Sequence, residues 1–109
     1  MDHNHKRTPV PKGSDIKLAI TVTSLGDDYK LSDQEVDIKV SVTVKDYTKK
    51  FVKADLRPLS DDTMVLPIST TDFPRGDMYL TTRTSVPDTD FNDDTRDEVQ
   101  TIDTGITII

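Results

Sequence analysis

The chain has no cysteine and no tryptophan, and its only histidines are His3 and His5. Without cysteine there are no disulfides, no thiolate-built structural zinc and no thiol nucleophile. A small secreted scaffold held by disulfides is therefore a poor fit. Three tyrosines and three phenylalanines are too few for the aromatic platforms on which sugar-binding sandwiches usually rely, so Tyr29, Tyr47 and Tyr79 read as core packing or edge cover. With four glycines there is no Gly-rich phosphate loop. No segment approaches the ~20 apolar residues of a membrane span, which argues against a membrane partner. The opening Met1-Asp2-His3-Asn4-His5-Lys6 has no apolar run after its charges and does not read as a secretory signal. The expectation is a chain made in the cytoplasm, which stays there or leaves the cell as part of something larger.

What the sequence does have is alternation. Val36, Ile38, Val40, Val42 and Val44 fall on one parity, against Asp37, Lys39, Ser41, Thr43 and Lys45 on the other. A side chain flips face at every residue of an extended strand, so this pattern describes a strand with one dry and one wet face. Most of its apolar members are β-branched, which suits a pleated surface. A polar turn is expected at Asp46 to Lys50, after which Val52, Ala54 and Leu56 resume the alternation. The stretch from Glu35 to Leu56 therefore reads as a hairpin around which the rest is arranged.

The same period recurs on both sides of it. Asp15 to Ser24 reads as a strand with Ile16, Leu18, Ile20 and Val22 inward, followed by a turn at Gly26-Asp27-Asp28. Tyr29 and Leu31 then drop back onto the core. Ser32-Asp33-Gln34-Glu35 has the spacing of a helix capping box, but only β-pattern follows, so it reads as a loop. Arg57 to Asp62 reads as another loop. Met64, Leu66 and Ile68 form a strand in which Pro67 requires an edge position or an early end. Phe73 is expected to tuck into the core from the next connection. Met78 to Val86 is a strand with Met78, Leu80, Thr82, Thr84 and Val86 on one parity and Tyr79 on the other. Val99 to Ile109 is the last strand, with a bulge expected at Gly105.

Together these predict an all-β fold: a single immunoglobulin-like antiparallel β-sandwich of about six or seven strands, with a small closed barrel as the alternative. The Cys–Trp–Cys signature of true immunoglobulin domains is absent, so topology is not set by this argument. A chain of 109 residues suits one domain. Its polar, acidic composition is that of some disordered chains, but those lack sustained β-branched alternation. Residues 1–13, broken by Pro9, Pro11 and Gly13, read as an extended N-terminal arm, and 14–109 as the sandwich. Ordering such an arm costs roughly 1–2 kcal/mol per residue, so contacts on a neighbouring subunit are expected to hold it. Lys6, Arg7, Pro9, Val10 and Pro11 are the candidate partner-binding residues.

Charge is unevenly spread. The arm carries Lys6, Arg7 and Lys12 against Asp2, whereas residues 87–109 carry seven acids against Arg96. The acidic total repels phosphates and the short basic arm has no interleaved aromatics, so nucleic acid is not an expected partner. Asp88, Asp90, Asn92 and Asp94 place oxygens at alternate positions, as a hard cation such as calcium requires. The EF-hand pattern then fails: Asp93 stands where its glycine belongs and Val99 where its closing glutamate should be. A solvated loop whose Asp and Asn cap turns is the plainer reading, and no metal or other cofactor is expected. His3-Asn4-His5 and Arg75-Gly76-Asp77 read as an incidental arm sequence and ordinary turn residues. Serine nucleophiles have no nearby base and the carboxylates lie in wet loops, so no enzyme is expected.

The opening strand Asp15 to Val22, the central Val36 to Val44, the run Phe73-Pro74-Arg75-Gly76-Asp77-Met78-Tyr79-Leu80 and the closing Thr104-Gly105-Ile106-Thr107-Ile108 carry a resemblance. In pattern, Asp15 to Ile109 resembles the small immunoglobulin-like domains of tailed-phage virions, such as the amino-terminal domains of upper baseplate proteins and related fibre or capsid-decorating modules. That resemblance implies a virion structural protein present in many copies: a capsid auxiliary or decoration protein, or a connector in a head-fibre or tail assembly. Baseplate adaptors continue into a stalk, whereas this chain reads as an arm plus one sandwich, which favours the auxiliary role. The implied partners are other virion proteins, met through β-augmentation and the arm. A bacterial surface or carbohydrate-binding module and a calcium-stabilised adhesion domain are the alternatives.

Overall fold

The computed structural model describes residues 7–109, so the readings placed on His3, His5 and Lys6 lie outside the described residues. Among the described residues eight strands are present: β1 (Thr8–Val10), β2 (Asp15–Thr21), β3 (Asp37–Val44), β4 (Tyr47–Val52), β5 (Arg57–Pro58), β6 (Thr63–Ser69), β7 (Gly76–Pro87) and β8 (Thr95–Ile108). They form a five-stranded sheet in the order β1-β8-β7-β3-β4 and a three-stranded sheet in the order β2-β6-β5. The two sheets pack as a sandwich, as the alternation predicts. All pairs are antiparallel except β1 with β8, which run parallel.

The core follows from parity. Ile38, Val40, Val42 and Val44 of β3 are buried, as are Leu18 and Ile20 of β2, Met64, Leu66 and Ile68 of β6, and Met78, Leu80 and Val86 of β7. Each such side chain gains about 1.5–3 kcal/mol by leaving water, and together they form one cluster. Leu31 and Phe73 enter it from connections, as expected. The Phe73 ring meets Tyr47 edge-on, with centroids 5.2 Å apart. Ser32 to Glu35 contains turns and no helix. The ammonium of Lys53 closes this loop by donating to the carbonyls of Asp33 and Val36.

The hairpin is tighter than the sequence pattern predicts. Val44 pairs with Tyr47 across a two-residue turn, Lys45-Asp46, with Lys45 at φ 56°. The expected turn residues 47–50 therefore belong to β4. Tyr47 and Phe51 face inward on that strand and Val52 is exposed, while Ala54 lies in a 3-10 turn, Lys53–Asp55; only Leu56 of the expected trio is buried. Aromatic packing against Phe73 outweighed the aliphatic alternation that suggested the other parity. Gly76 closes over this turn, where a Cβ would stand 3.1 Å from Lys45 Cε and 3.3 Å from Val44 Cγ1.

Three further boundaries differ from expectation. Arg57-Pro58, expected as loop, pairs with Met64 and Val65. Because β5 stops there, the far side of β6 is open at Pro67, as a missing N–H requires. The last strand begins at Thr95 rather than Val99, with Asp97 paired to Ser85 and Glu98 to Thr84 along β7. The arm joins the large sheet at Thr8, because β1 pairs in register with Ile106 to Ile108. At Gly105 the expected bulge is present: Asp77 pairs with Thr107 but Tyr79 with Asp103, so three residues face Met78. A two-residue insertion preserves parity, and Ile102, Ile106 and Ile108 all stay on the core side.

Phe73→Ala removes the largest fully buried side chain, and the expected loss is about 3–5 kcal/mol of unfolding free energy in urea melts. A loss below about 1 kcal/mol would show that the connection does not seal the core.

Candidate functional site

Among the described residues, chemistry-bearing side chains gather at two places, one on β8 and one in the loop that leads into it. The first surrounds Arg7. Its Nη1 donates to Asp103 Oδ2 at 2.7 Å, its Nη2 to the Ile106 carbonyl at 3.0 Å and its Nε to Thr107 Oγ1 at 2.8 Å. Asp77 Oδ1 lies 3.0 Å from Nε and accepts from Thr107 Oγ1 at 2.7 Å. A planar guanidinium suits this fork of acceptors and a lysine would not. The bulge supplies the geometry. Thr104 Oγ1 donates to the Met78 carbonyl and accepts from the Ile106 amide, while Asp103 Oδ1 accepts from the Gly105 amide. The hydrogen bond from Asp103, with the charges of Asp103 and Asp77, raises the Arg7 pKa against an opposing desolvation.

Backbone bonds hold the segment after Arg7. The Ile109 amide donates to the Val10 carbonyl and the Lys12 amide to the Ile109 carbonyl. Gly13 donates to Thr70 Oγ1, which itself donates to the Ser14 carbonyl. Arg7, Pro9, Val10 and Pro11, proposed from sequence as partner contacts, thus lie in a segment that packs on its own domain. Its own β8 supplies in-register carbonyls and, with β7, a carboxylate pair for this segment.

The second place is the loop Asp88 to Asp94. Asp88 accepts from the Asp90 amide at 3.0 Å and from Arg96 Nε at 3.2 Å. Arg96 also donates to Glu98 at 2.8 Å and to the Ser24 carbonyl at 3.0 Å, tying the loop to the connection that follows β2. Those partners, Glu98 first, raise the Arg96 pKa. Asp88 is therefore engaged as a turn cap and an ion-pair partner, while Asp90, Asn92 and Asp94 are exposed. Among the described residues no three acids or histidines gather as a metal site.

Other sequence motifs are placed as follows. In Arg75-Gly76-Asp77, Asp77 belongs to β7 and bonds Thr107 and Arg7. Tyr47 packs on Phe73, Tyr29 lies partly buried against the core and Tyr79 is exposed on the outer face, so the three form no common platform. The role of Arg7 was not readable from sequence, because its acceptors lie about a hundred positions away and depend on the parallel β1–β8 pairing.

The site that remains is an edge. β1 pairs with β8 at Ile106 to Ile108, and β7 pairs along the other side of β8. At the opposite end of the large sheet β4 has no further strand on its outer side among the described residues. No helix is long and apolar enough to cross a membrane among the described residues. No protein-family model, no curated protein and no solved structure matches this chain.

Arg7→Ala is expected to lower hydrogen-exchange protection of the Ile109 and Lys12 amides, and Arg7→Lys to restore little of it. Unchanged protection in Arg7→Ala would mean that the backbone pairing alone secures β1. A raised pKa contributes stability below the ordinary guanidinium range that is lost only as pH rises through the higher value. The Arg7-dependent protection should therefore hold from neutral into mildly alkaline buffer. Calcium is expected to leave the melting temperature unchanged; a rise at millimolar calcium that EDTA reverses would show that Asp88, Asp90, Asn92 and Asp94 bind it.

Proposed function

We propose that this chain is a structural subunit of a tailed-phage virion, either a capsid auxiliary or decoration protein or a small connector in a head-fibre or tail assembly. The observation that carries the reading is the outer edge of β4, which has no further strand beside it among the described residues and offers another protein a row of backbone donors and acceptors. The polar clusters on β8 support it from another side. Arg7 and Arg96 each knit distant segments together, which is the work of a stiff spacer.

Strand order supports the finer fold reading that the sequence resemblance implies. The set β2-β6-β5 opposite β3, β7 and β8 has the arrangement of strands B, E and D opposite C, F and G in immunoglobulin-like sandwiches, with β4 added beside β3. In this reading the protein acts by adhesion, in many copies, on other virion proteins, without turnover, cofactor, nucleic acid or membrane. It is made in the bacterial cytoplasm and ends in the particle.

Quantitative mass spectrometry of gradient-purified particles is the test. The expected result is a fixed, multi-copy ratio to the major capsid protein. Recovery of the chain only from the soluble fraction of the lysate would overturn the assignment.

A further inference from the structure

We infer that the outer edge of β4 takes an extended acidic segment of another protein, added antiparallel as a further strand of the large sheet. The inference rests on the proposed adhesive role and names the chemistry of the partner.

Backbone direction is the first argument. β4 ends the sheet on the side opposite β1, and β3 is its only neighbouring strand among the described residues. The Val52 amide donates to Asp55 Oδ2 at 2.9 Å, so it points away from β3. Amide and carbonyl directions alternate along an antiparallel strand, so Lys50 and Thr48, at the same parity, also present theirs outward. No backbone bond engages these two residues on that side among the described residues. Asp55 closes the edge at Val52, and the turn Lys45-Asp46 ends it on the other side. A partner strand therefore has a short, bounded seat centred on Thr48 and Lys50.

Charge is the second. β4 carries Lys49 and Lys50 and no acid. On the outer face Lys50 lies diagonal to Lys39, which pairs directly with Arg83. Asp97 offsets Arg83 at 3.0 Å, whereas the ammonium groups of Lys39 and Lys50 meet no carboxylate among the described residues. Like charges this close on one face repel, and an acid opposite Lys50 relieves that repulsion. The same lysines oppose pairing with a second β4, which leaves an acidic strand from a different protein as the occupant.

Side-chain parity supplies the rest of the partner's pattern. Val52 shares the outer face with Lys50 and is 54% exposed, while Phe51 is partly buried on the core side. An antiparallel partner meets Val52 and Phe51 just before it meets Lys50. Its expected sequence is a pair of apolar residues followed by an acid, with β-branched residues the best suited to the pleat.

NMR titration of the full isotope-labelled chain tests this. The probe is the capped heptapeptide threonine-valine-valine-glutamate-valine-threonine-threonine, and its control carries lysine for the glutamate. Saturable shifts of the Thr48 and Lys50 amides are expected with the probe, and binding about tenfold weaker with the control. Lys50→Glu is expected to reverse that preference. Thr48→Pro removes an outward amide without touching the β3 ladder, and is expected to abolish binding of the probe. Circular dichroism verifies that each variant is folded, and Lys50→Pro replaces Thr48→Pro if that variant is not. Equal affinity for the two peptides overturns the inference, as does the absence of shifts at millimolar probe. A Lys50→Glu variant that keeps the original preference, or a proline variant that binds like wild type, overturns it too. A chain that prefers the probe but is missing from particles would sink the virion role and leave this contact standing. A chain at fixed copy number in particles that shows no preference would overturn this contact alone.

Discussion

Strand β3 lies between β4 and β7, and its four inward residues, Ile38, Val40, Val42 and Val44, are essentially without solvent exposure. Their burial ties the register of the large sheet to the core. A slip of one residue against β7 would turn all four valine-type side chains to water and bring Asp37, Lys39, Ser41 and Thr43 into the interior. Both neighbours are held by the same condition. β7 answers with Met78, Leu80, Thr82 and Thr84, and β4 with Tyr47 and Phe51. The core is thin and partly threonine, so little excess apolar area exists to tolerate an error. Thr84 Oγ1 is buried without a hydrogen-bond partner among the described residues, which places a polar atom in the core as a further demand on neighbouring packing.

Polar bonds do different work at the margins. Two arginines each gather acceptors from separated parts of the chain: Arg7 reaches β7 and β8, and Arg96 reaches the loop before it, its own strand and the connection after β2. Thr70 bonds both Gly13 and Ser14, which joins the entry of β2 to the exit of β6. These contacts are only partly shielded, so each is modest by itself. Their value lies in closing the corners of the sandwich, where the hydrophobic cluster does not reach.

How far the sequence was legible depends on distance along the chain. Strand identity, inward parity, the tucked Phe73 and Leu31, and the bulge at Gly105 are local or period-two properties, and each could be read from residue order. The turn at Lys45-Asp46 could not, because its position is decided by Tyr47 meeting Phe73 across the core. The candidate site was legible only in part. Arg7 was visible as an arm cation and Asp103 as one acid among many, but nothing in their spacing predicts that they meet. The acidic loop looked like a ligand set because alternation of oxygens is a sequence property, whereas Asp88's commitment to Arg96 is a spatial one.

By itself, then, residue order determined that this chain forms strands with one dry face, and which side chains seal it, because alternation acts over neighbouring residues. Tertiary structure alone decided which strands became edges, that the N-terminal segment runs parallel to β8, and that basic β4 and acidic β8 ended on opposite sides of one sheet. Those outcomes depend on pairings between residues far apart in the chain, and no local period encodes which distant partner a strand will find.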